Sequence, residues 1–457
     1  MSKMTNNKLA LLALAGLSAV ASGPAFAAGS MTVDSDGGIE VFNVEDKNFW
    51  FKLGGRLFID QAWYDEGDDN NSVTNFPDGS DIRSARVTFK GGVGDKWVYK
   101  LDFDFIDAVG NGGNSKFGEA FIGYNFCDNI WGAVGQVSIP FGLENWASAS
   151  DLSTMELSMP SDAFAPDYGI GLYGEWHGRM FTAAGALYNP RSGIGQSGDV
   201  LPAVIGAPGS GPNGSAPGSD PWAVAGRITF SPVHDDVTVY HAGLSGRYQR
   251  LHQYANDVNF TAGMEVRNRE SPNITTNIPP NSSQSYQVWG GELAARSGPF
   301  ILQGEYMWVN VKRPDFFPTD PTIPGGSQDY RGYYILASYV LTGETKEYDF
   351  DSGTFGTVTP KSKKGAWEVV ARYDFIDLVD NQAIAKTPIF TQVVPDNPGS
   401  FTTGLFPEDL VGSAHNGTLG VTWYVNENVR FLANYVRADL PNDNDINVFG
   451  VRGQVVW

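Results

Sequence analysis

Cysteine occurs once in these 457 residues, at Cys127. No internal disulfide can form, so the fold is held by packing and backbone pairing alone. Basic residues are scarce too, 31 Lys and Arg against 51 Asp and Glu, which excludes nucleic acid as a natural partner. Histidine is found only at His177, His234, His241, His252 and His415. They form no zinc-type cluster, and no G-x-S-x-G elbow accompanies them. His241 shares a strand face with Ser245, but residues four apart on one strand are too distant for a direct hydrogen bond. The sequence therefore offers no catalytic residue, and an enzyme is not expected. Long apolar runs are missing as well. The one continuous run, Leu9 to Val20, falls short of the roughly 20 residues a membrane helix needs. With Lys3 and Lys8 before it and Ala25-Phe26-Ala27 after it, that run reads as a secretory signal over residues 1–27. Residues 28–457 remain as a single domain.

What is abundant is glycine, 55 residues, and aromatics, with 28 Phe, 19 Tyr and 12 Trp, a composition suited to many strands joined by turns. In W-V-Y-K-L-D-F-D-F-I (97–106), Trp97, Tyr99, Leu101, Phe103 and Phe105 alternate with Lys100, Asp102 and Asp104, so one strand face is apolar and the other charged. Sixteen segments repeat this split, beginning near Phe49, Arg83, Trp97, Gly118, Ile130, Gly169, Met180, Ala223, Val237, Tyr286, Phe300, Tyr330, Gly365, Thr418, Val429 and Asn447. Tight turns such as Asp128–Asn129 and Glu427–Asn428 alternate with long loops such as Asn189–Pro221 and Ile376–Gly417; Gly343–Lys364 alone is long where a tight turn is due. A soluble sandwich also alternates, but with strands of about five or six residues. Strands of about ten, with an apolar face and a charged one, suit an antiparallel transmembrane β-barrel of about 16 strands, closed because lipid leaves no backbone group unpaired.

The closing G-V-R-G-Q-V-V-W fits that reading. Phe449, Val451, Val455 and Trp457 face lipid, with the indole in the interfacial girdle, while Arg452 and Gln454 face inward. A terminal aromatic behind alternating apolar residues resembles the signal by which the barrel-assembly machinery recognises bacterial outer-membrane proteins. Outer-membrane lipid and lipopolysaccharide are then the surrounding partners. The acid-rich segments Y-D-E-G-D-D-N-N (64–71) and P-N-D-N-D-I-N (441–447) could hold divalent cations against lipid phosphates, but neither completes a calcium loop; no cofactor and no structural metal site is expected.

By the same register the lumen wall carries eleven basic residues, Lys52, Arg56, Arg86, Lys90, Lys100, Arg227, Arg247, Arg296, Arg372, Arg430 and Arg452. Nine acidic ones oppose them: Asp60, Asp102, Asp104, Glu119, Glu175, Glu292, Glu305, Glu368 and Asp374. The wall is nearly balanced, with Arg372 expected to pair with Glu368 or Asp374.

Five segments, R-S-A-R-V-T-F-K-G (83–91), G-Q-V-S-I-P-F-G-L-E (135–144), Y-V-L-T-G-E (339–344), G-A-W-E-V-V-A-R-Y-D-F-I-D-L (365–378) and V-T-W-Y-V-N-E-N-V-R-F-L-A-N-Y-V (421–436), resemble in their order the family of phosphate-selective porins O and P. The resemblance implies a trimeric, water-filled outer-membrane channel whose third loop, Pro140–Tyr168, folds inward as a constriction, and it accounts for the long Gly343–Lys364 connection. That loop holds Glu144, Asp151, Glu156, Asp162 and Asp167 and no Lys or Arg, whereas phosphate-specific members place a lysine there. Loop acids facing wall arginines would set up a transverse field. The expectation is a general porin for ions and small hydrophilic solutes, weakly selective or cation-leaning. The alternative is an anion- or phosphate-selective channel; a barrel enzyme or an adhesin is the lesser reading.

Overall fold

The computed structural model describes residues 31–34, 39–43, 49–66, 76–106, 116–190, 221–251, 258–267, 273–276, 278, 283–313, 326–380, 410–441 and 444–457. The signal segment lies outside them.

Sixteen antiparallel strands close on themselves. The first half comprises β1 (Phe49–Glu66), β2 (Gly79–Val93), β3 (Trp97–Asp104), β4 (Lys116–Cys127), β5 (Ile130–Ser138), β6 (Tyr168–His177), β7 (Phe181–Asn189) and β8 (Trp222–His234). The second comprises β9 (Thr238–Arg250), β10 (Ser285–Ser297), β11 (Phe300–Arg313), β12 (Gly326–Val340), β13 (Ala366–Asp377), β14 (Ser413–Tyr424), β15 (Val429–Leu440) and β16 (Asn444–Val456). Several begin up to five residues before the sequence-based start, as in β14 and β12, because pairing continues beyond the apolar stripe at the long-loop end. Every strand pairs with its chain neighbour, and β16 returns to β1 through a register from Ile446↔Glu66 to Val456↔Arg56. Gly55 and Trp457 exchange backbone hydrogen bonds of 2.9 and 3.0 Å at the end of that seam. A short hairpin, Met31–Asp34 with Ile39–Asn43, extends the sheet along the first residues of β1, an addition the alternation did not announce.

The inverted arrangement of a membrane barrel follows from the side chains. Leu244, Leu293 and Leu419 are 72%, 68% and 63% exposed, as only lipid tolerates in such numbers. Aromatics mark both rims: Trp367 stacks on Trp423 at 5.6 Å at the short-turn end, and Trp63 on Phe449 at 5.6 Å at the long-loop end. Phe449, Val455 and Trp457 are exposed on this outer face and Val451 is half-buried there, while Arg452 and Gln454 turn inward. The core lies inside the barrel instead. Met155, Met159 and Phe164 of the long 139–167 loop pack against Val258, Phe260, Ala262, Met264 and Val266 of a second inward loop, and against wall residues such as Val309, Val436 and Val448.

Candidate functional site

The 139–167 loop leaves β5 and returns to β6, its base closed by the Ile139 N–H donating to the Asp167 carbonyl at 2.9 Å. Two short helices stiffen it, α1 (Leu143–Trp146) and α2 (Met159–Phe164). The turn into α1 needs Gly142, whose φ is 68° and whose added Cβ would stand 2.6 Å from Glu305. There Glu305, a wall acid of β11, accepts from the Leu143 and Glu144 amides at 2.9 and 2.7 Å, and Ser245 accepts from Gly142 at 3.0 Å. So Glu305 serves as the loop's anchor. Ser245 likewise holds the loop and is not a nucleophile beside His241.

Three guanidinium hubs pin the rest. Arg372 donates to Glu144 at 2.7 Å and to Thr154 at 2.9 Å, lies 3.0 Å from Glu265 of the second loop, and stands 3.7 Å from Asp374. Arg452 grips Asp60 through two nitrogens at 2.8 and 2.7 Å and reaches Glu156 at 2.6 Å. Arg267 meets Glu156 and Asp162, each at 3.0 Å. Arg83 completes the set at 2.7 Å from Glu156. Burial pushes the Glu156 carboxyl up, but Arg83, Arg267 and Arg452 override it and hold it well below the usual carboxylate range. Asp167 has no such partner among the described residues; burial and the neighbouring Asp162 push it up to about 6.

These contacts correct two expectations. The loop acids do not stand across open water from a basic wall: Glu144, Glu156 and Asp162 are in direct ion pairs, so most of their charge is spent on holding the loop. The second is corrected only in part: of the two acids expected to pair with Arg372, Asp374 does so at 3.7 Å, whereas Glu368 takes Lys346 instead, at 3.3 Å. Four charged residues that shape the constriction, Arg83, Glu265, Arg267 and Lys346, were missed. Arg83 escapes the alternation because a β-bulge sets Phe58 opposite Ser84 but Ile59 opposite Ile82, turning the extra residue inward. The other three lie in connections, where no periodicity exists to read.

Lys346 belongs to the long 341–365 connection, which folds into the short-turn mouth. Its tip is held by Arg227, donating to the Ser352 and Gly353 carbonyls at 2.6 and 2.9 Å, and by His241 at 2.7 Å from the Tyr348 hydroxyl. His234 stacks on Phe350 at 4.3 Å and His177 lies 3.0 Å from Asp351. Arg296 donates to the Lys346 carbonyl. The Lys346 ammonium then meets the constriction loop at Ser153, 2.7 Å away.

All twenty wall residues assigned by register lie on the inner face. Beyond those above, Glu292 joins Arg227 at 2.7 Å and His241 at 3.1 Å, Glu175 accepts from Tyr173 at 2.6 Å, and Arg247 donates to Gln249. The wetter charges lie on β1 to β4, where basic residues dominate. Lys52, Lys90 and Lys100 stand side by side across β1, β2 and β3, and one step deeper Arg56 stands opposite Arg86. Arg86 reaches Asp104 at 3.4 Å and Asp102 at 3.8 Å, and Lys100 pairs with Glu119. Arg56 and Lys90 have no carboxylate within 4 Å among the described residues. No cluster of His, Cys, Asp and Glu able to hold a metal converges among the described residues. Of the two acid-rich candidate segments, positions 67–71 and 442–443 lie outside those residues.

A family model described as phosphate-selective porin O and P matches residues 51–457. Porin O of Pseudomonas aeruginosa is 29% identical over 458 aligned positions, covering 94% of this chain and 95% of that one. An anion-selective porin from Comamonas acidovorans superposes with a TM-score of 0.53 at 11% identity, over 90% of this chain and 100% of that one. A loop L8 deletion mutant of OmpT, an outer-membrane protein of Vibrio cholerae, does so with a TM-score of 0.50 at 11% identity, over 90% and 100%. At that identity both speak to the fold alone. With a family match over nearly the whole chain on a closed sixteen-strand barrel, the chain belongs to the phosphate-selective porin O and P family and is a channel of the bacterial outer membrane, not an enzyme.

Proposed function

We propose that this porin is anion-selective and passes inorganic oxyanions of the phosphate class, as a homotrimer of the kind its family membership implies. The observation that carries the reading is the basic track on β1 to β3: Lys52, Lys90 and Lys100 in one row and Arg56 and Arg86 in the next, with no carboxylate at contact distance from Arg56 or Lys90 among the described residues. Adjacent like charges in one row cost energy unless counter-ions sit between them. A track of this kind lowers the barrier for a small anion and raises it for a cation. Three of the five loop acids that favoured a cation-leaning pore, Glu144, Glu156 and Asp162, are neutralised by Arg83, Arg267, Arg372 and Arg452, so the loop opposes the track less than its acid count suggests.

The test is the zero-current potential of the purified protein in a planar bilayer across a KCl gradient, repeated with phosphate. Anion-selective sign, block by phosphate, and loss of both in Lys90→Gln are the expected results. A potential near zero or of cation sign, with no phosphate block, would overturn the reading in favour of a general porin.

A further inference from the structure

Arg430 of β15 faces the lumen between Tyr424 and Gln454, its guanidinium 5.8 Å above the Tyr424 ring. It is only 3% exposed, yet none of its three nitrogens makes a well-formed hydrogen bond or an ion pair among the described residues; the Tyr424 hydroxyl near it is already donating to Glu368. A guanidinium so placed is costly unless water or an anion completes it. One wall acid is within reach of the same aromatic. Glu368 accepts from the Tyr424 hydroxyl at 2.6 Å, but its remaining capacity is filled by Lys346 at 3.3 Å and by Ser153 at 2.9 Å. The 341–365 connection thus delivers a cation to Glu368 and leaves Arg430 without an ion pair among the described residues. One loop acid completes the group. Asp151 has no cation within 4 Å among the described residues; burial pushes its carboxyl up, while Arg430, Lys346 and Arg56 pull it back.

We infer that Arg430 is an anion contact in the lumen, and that Lys346 determines selectivity indirectly by occupying Glu368 so that Arg430 stays available. The inference rests on the anion-selective reading above. The ligand class is a small oxyanion, whose two oxygens match the planar fork, or chloride in its absence. Removing Lys346 leaves Glu368 buried and unpaired, and Arg430, stacked on the ring that already donates to Glu368, is the cation placed to replace it.

The experiment uses the full-length protein in planar bilayers, with heat-modifiable gel migration confirming that each variant is folded, and chloride and inorganic phosphate as probes. Arg430→Gln should lower the chloride-to-potassium permeability ratio by up to about sixteen-fold, because one charge at about 5 Å in water supplies a factor of about four for each ion and of opposite sign for the two, and weaken phosphate block; Arg430→Lys should keep most of the ratio. Lys346→Met should fall in the same direction, and the double variant with Arg430→Gln should fall no further than either single change. Adding Glu368→Gln to Lys346→Met should restore both the ratio and the block, because Arg430 is released. Two results would overturn the inference: a parental ratio and block in Arg430→Gln, or a double-variant loss equal to the product of the two single losses, which is what independent charges give. A parent channel without anion preference would sink the reading of the whole pore but not this one, provided Arg430→Gln still shifts the ratio toward cations.

Discussion

Replacing Arg372 by methionine should unlatch the constriction loop while leaving the barrel closed. One guanidinium nitrogen donates to Glu144, Thr154 and the Glu156 carbonyl at 2.7, 2.9 and 3.1 Å; the other reaches Glu265 at 3.0 Å and the Leu157 carbonyl at 3.3 Å. Two of these five bonds join charges, and at the low end of ordinary values the five together contribute about 4 kcal/mol. Glu144, Glu265 and Asp374 would also be left buried without that cation, which adds to the loss. A change of about 4 kcal/mol moves the balance between held and released loop by roughly three orders of magnitude. The barrel itself is closed by the ladder of sixteen strands, none of whose backbone bonds involves this side chain. The assay is single-channel recording beside heat-modifiable migration. The expected outcome is an unchanged gel shift with larger, noisier open currents and new protease cleavage within 147–157. Arg372→Lys should not rescue, because a single ammonium cannot serve acceptors lying in two directions as a planar fork does. A methionine variant with the parent's current level and noise would refute the assignment of Arg372 as the loop's principal fastening.

Asp167 gives a pH dependence with a definite sign. Its folded value of about 6 is above the ordinary aspartate value of 3.8, so the loop holds this proton more tightly than the unfolded chain does, and its packing weakens as pH rises toward 6. Lowering pH from about 7 to about 5 should neutralise the group and shift permeability toward anions, and Asp167→Asn should show the acidic behaviour at both pH values. A ratio flat with pH in the parent would count against it. At the seam, an alanine at Gly55 would put its Cβ 2.5 Å from the Arg86 carbonyl and 2.6 Å from the Trp457 ring. Overpacking of this kind costs about 1–3 kcal/mol, so Gly55→Ala should lower the temperature at which the folded band disappears on a gel.

Strand faces were legible because lipid outside and water inside enforce a strict period of two, and Lys52, Arg56, Arg372, Arg430 and Arg452 could be placed by counting alone. Their partners could not. Arg372 does meet Asp374 of its own strand, at 3.7 Å, but its shorter contacts are to Glu144 and Glu265, which arrive on loops from more than a hundred positions away. Arg83 was lost to a single bulge, the one device that breaks the period without altering composition. A count of wall charge gives near neutrality; what the count conceals is that acids and bases are unequally wetted. Selectivity depends on which charges remain in water, and that is a property of packing between loops.

The seam of β16 against β1 joins residues such as Asp60 and Arg452 that are 392 positions apart. No smaller part of the sheet is closed without it, so every partly synthesised or partly folded chain presents two bare strand edges and an oily outer face. Closing a loop of that length is slow and is rewarded only at the end. Export and folding must therefore be separated in time, with the chain kept from its neighbours until its two most distant strands can meet inside a bilayer.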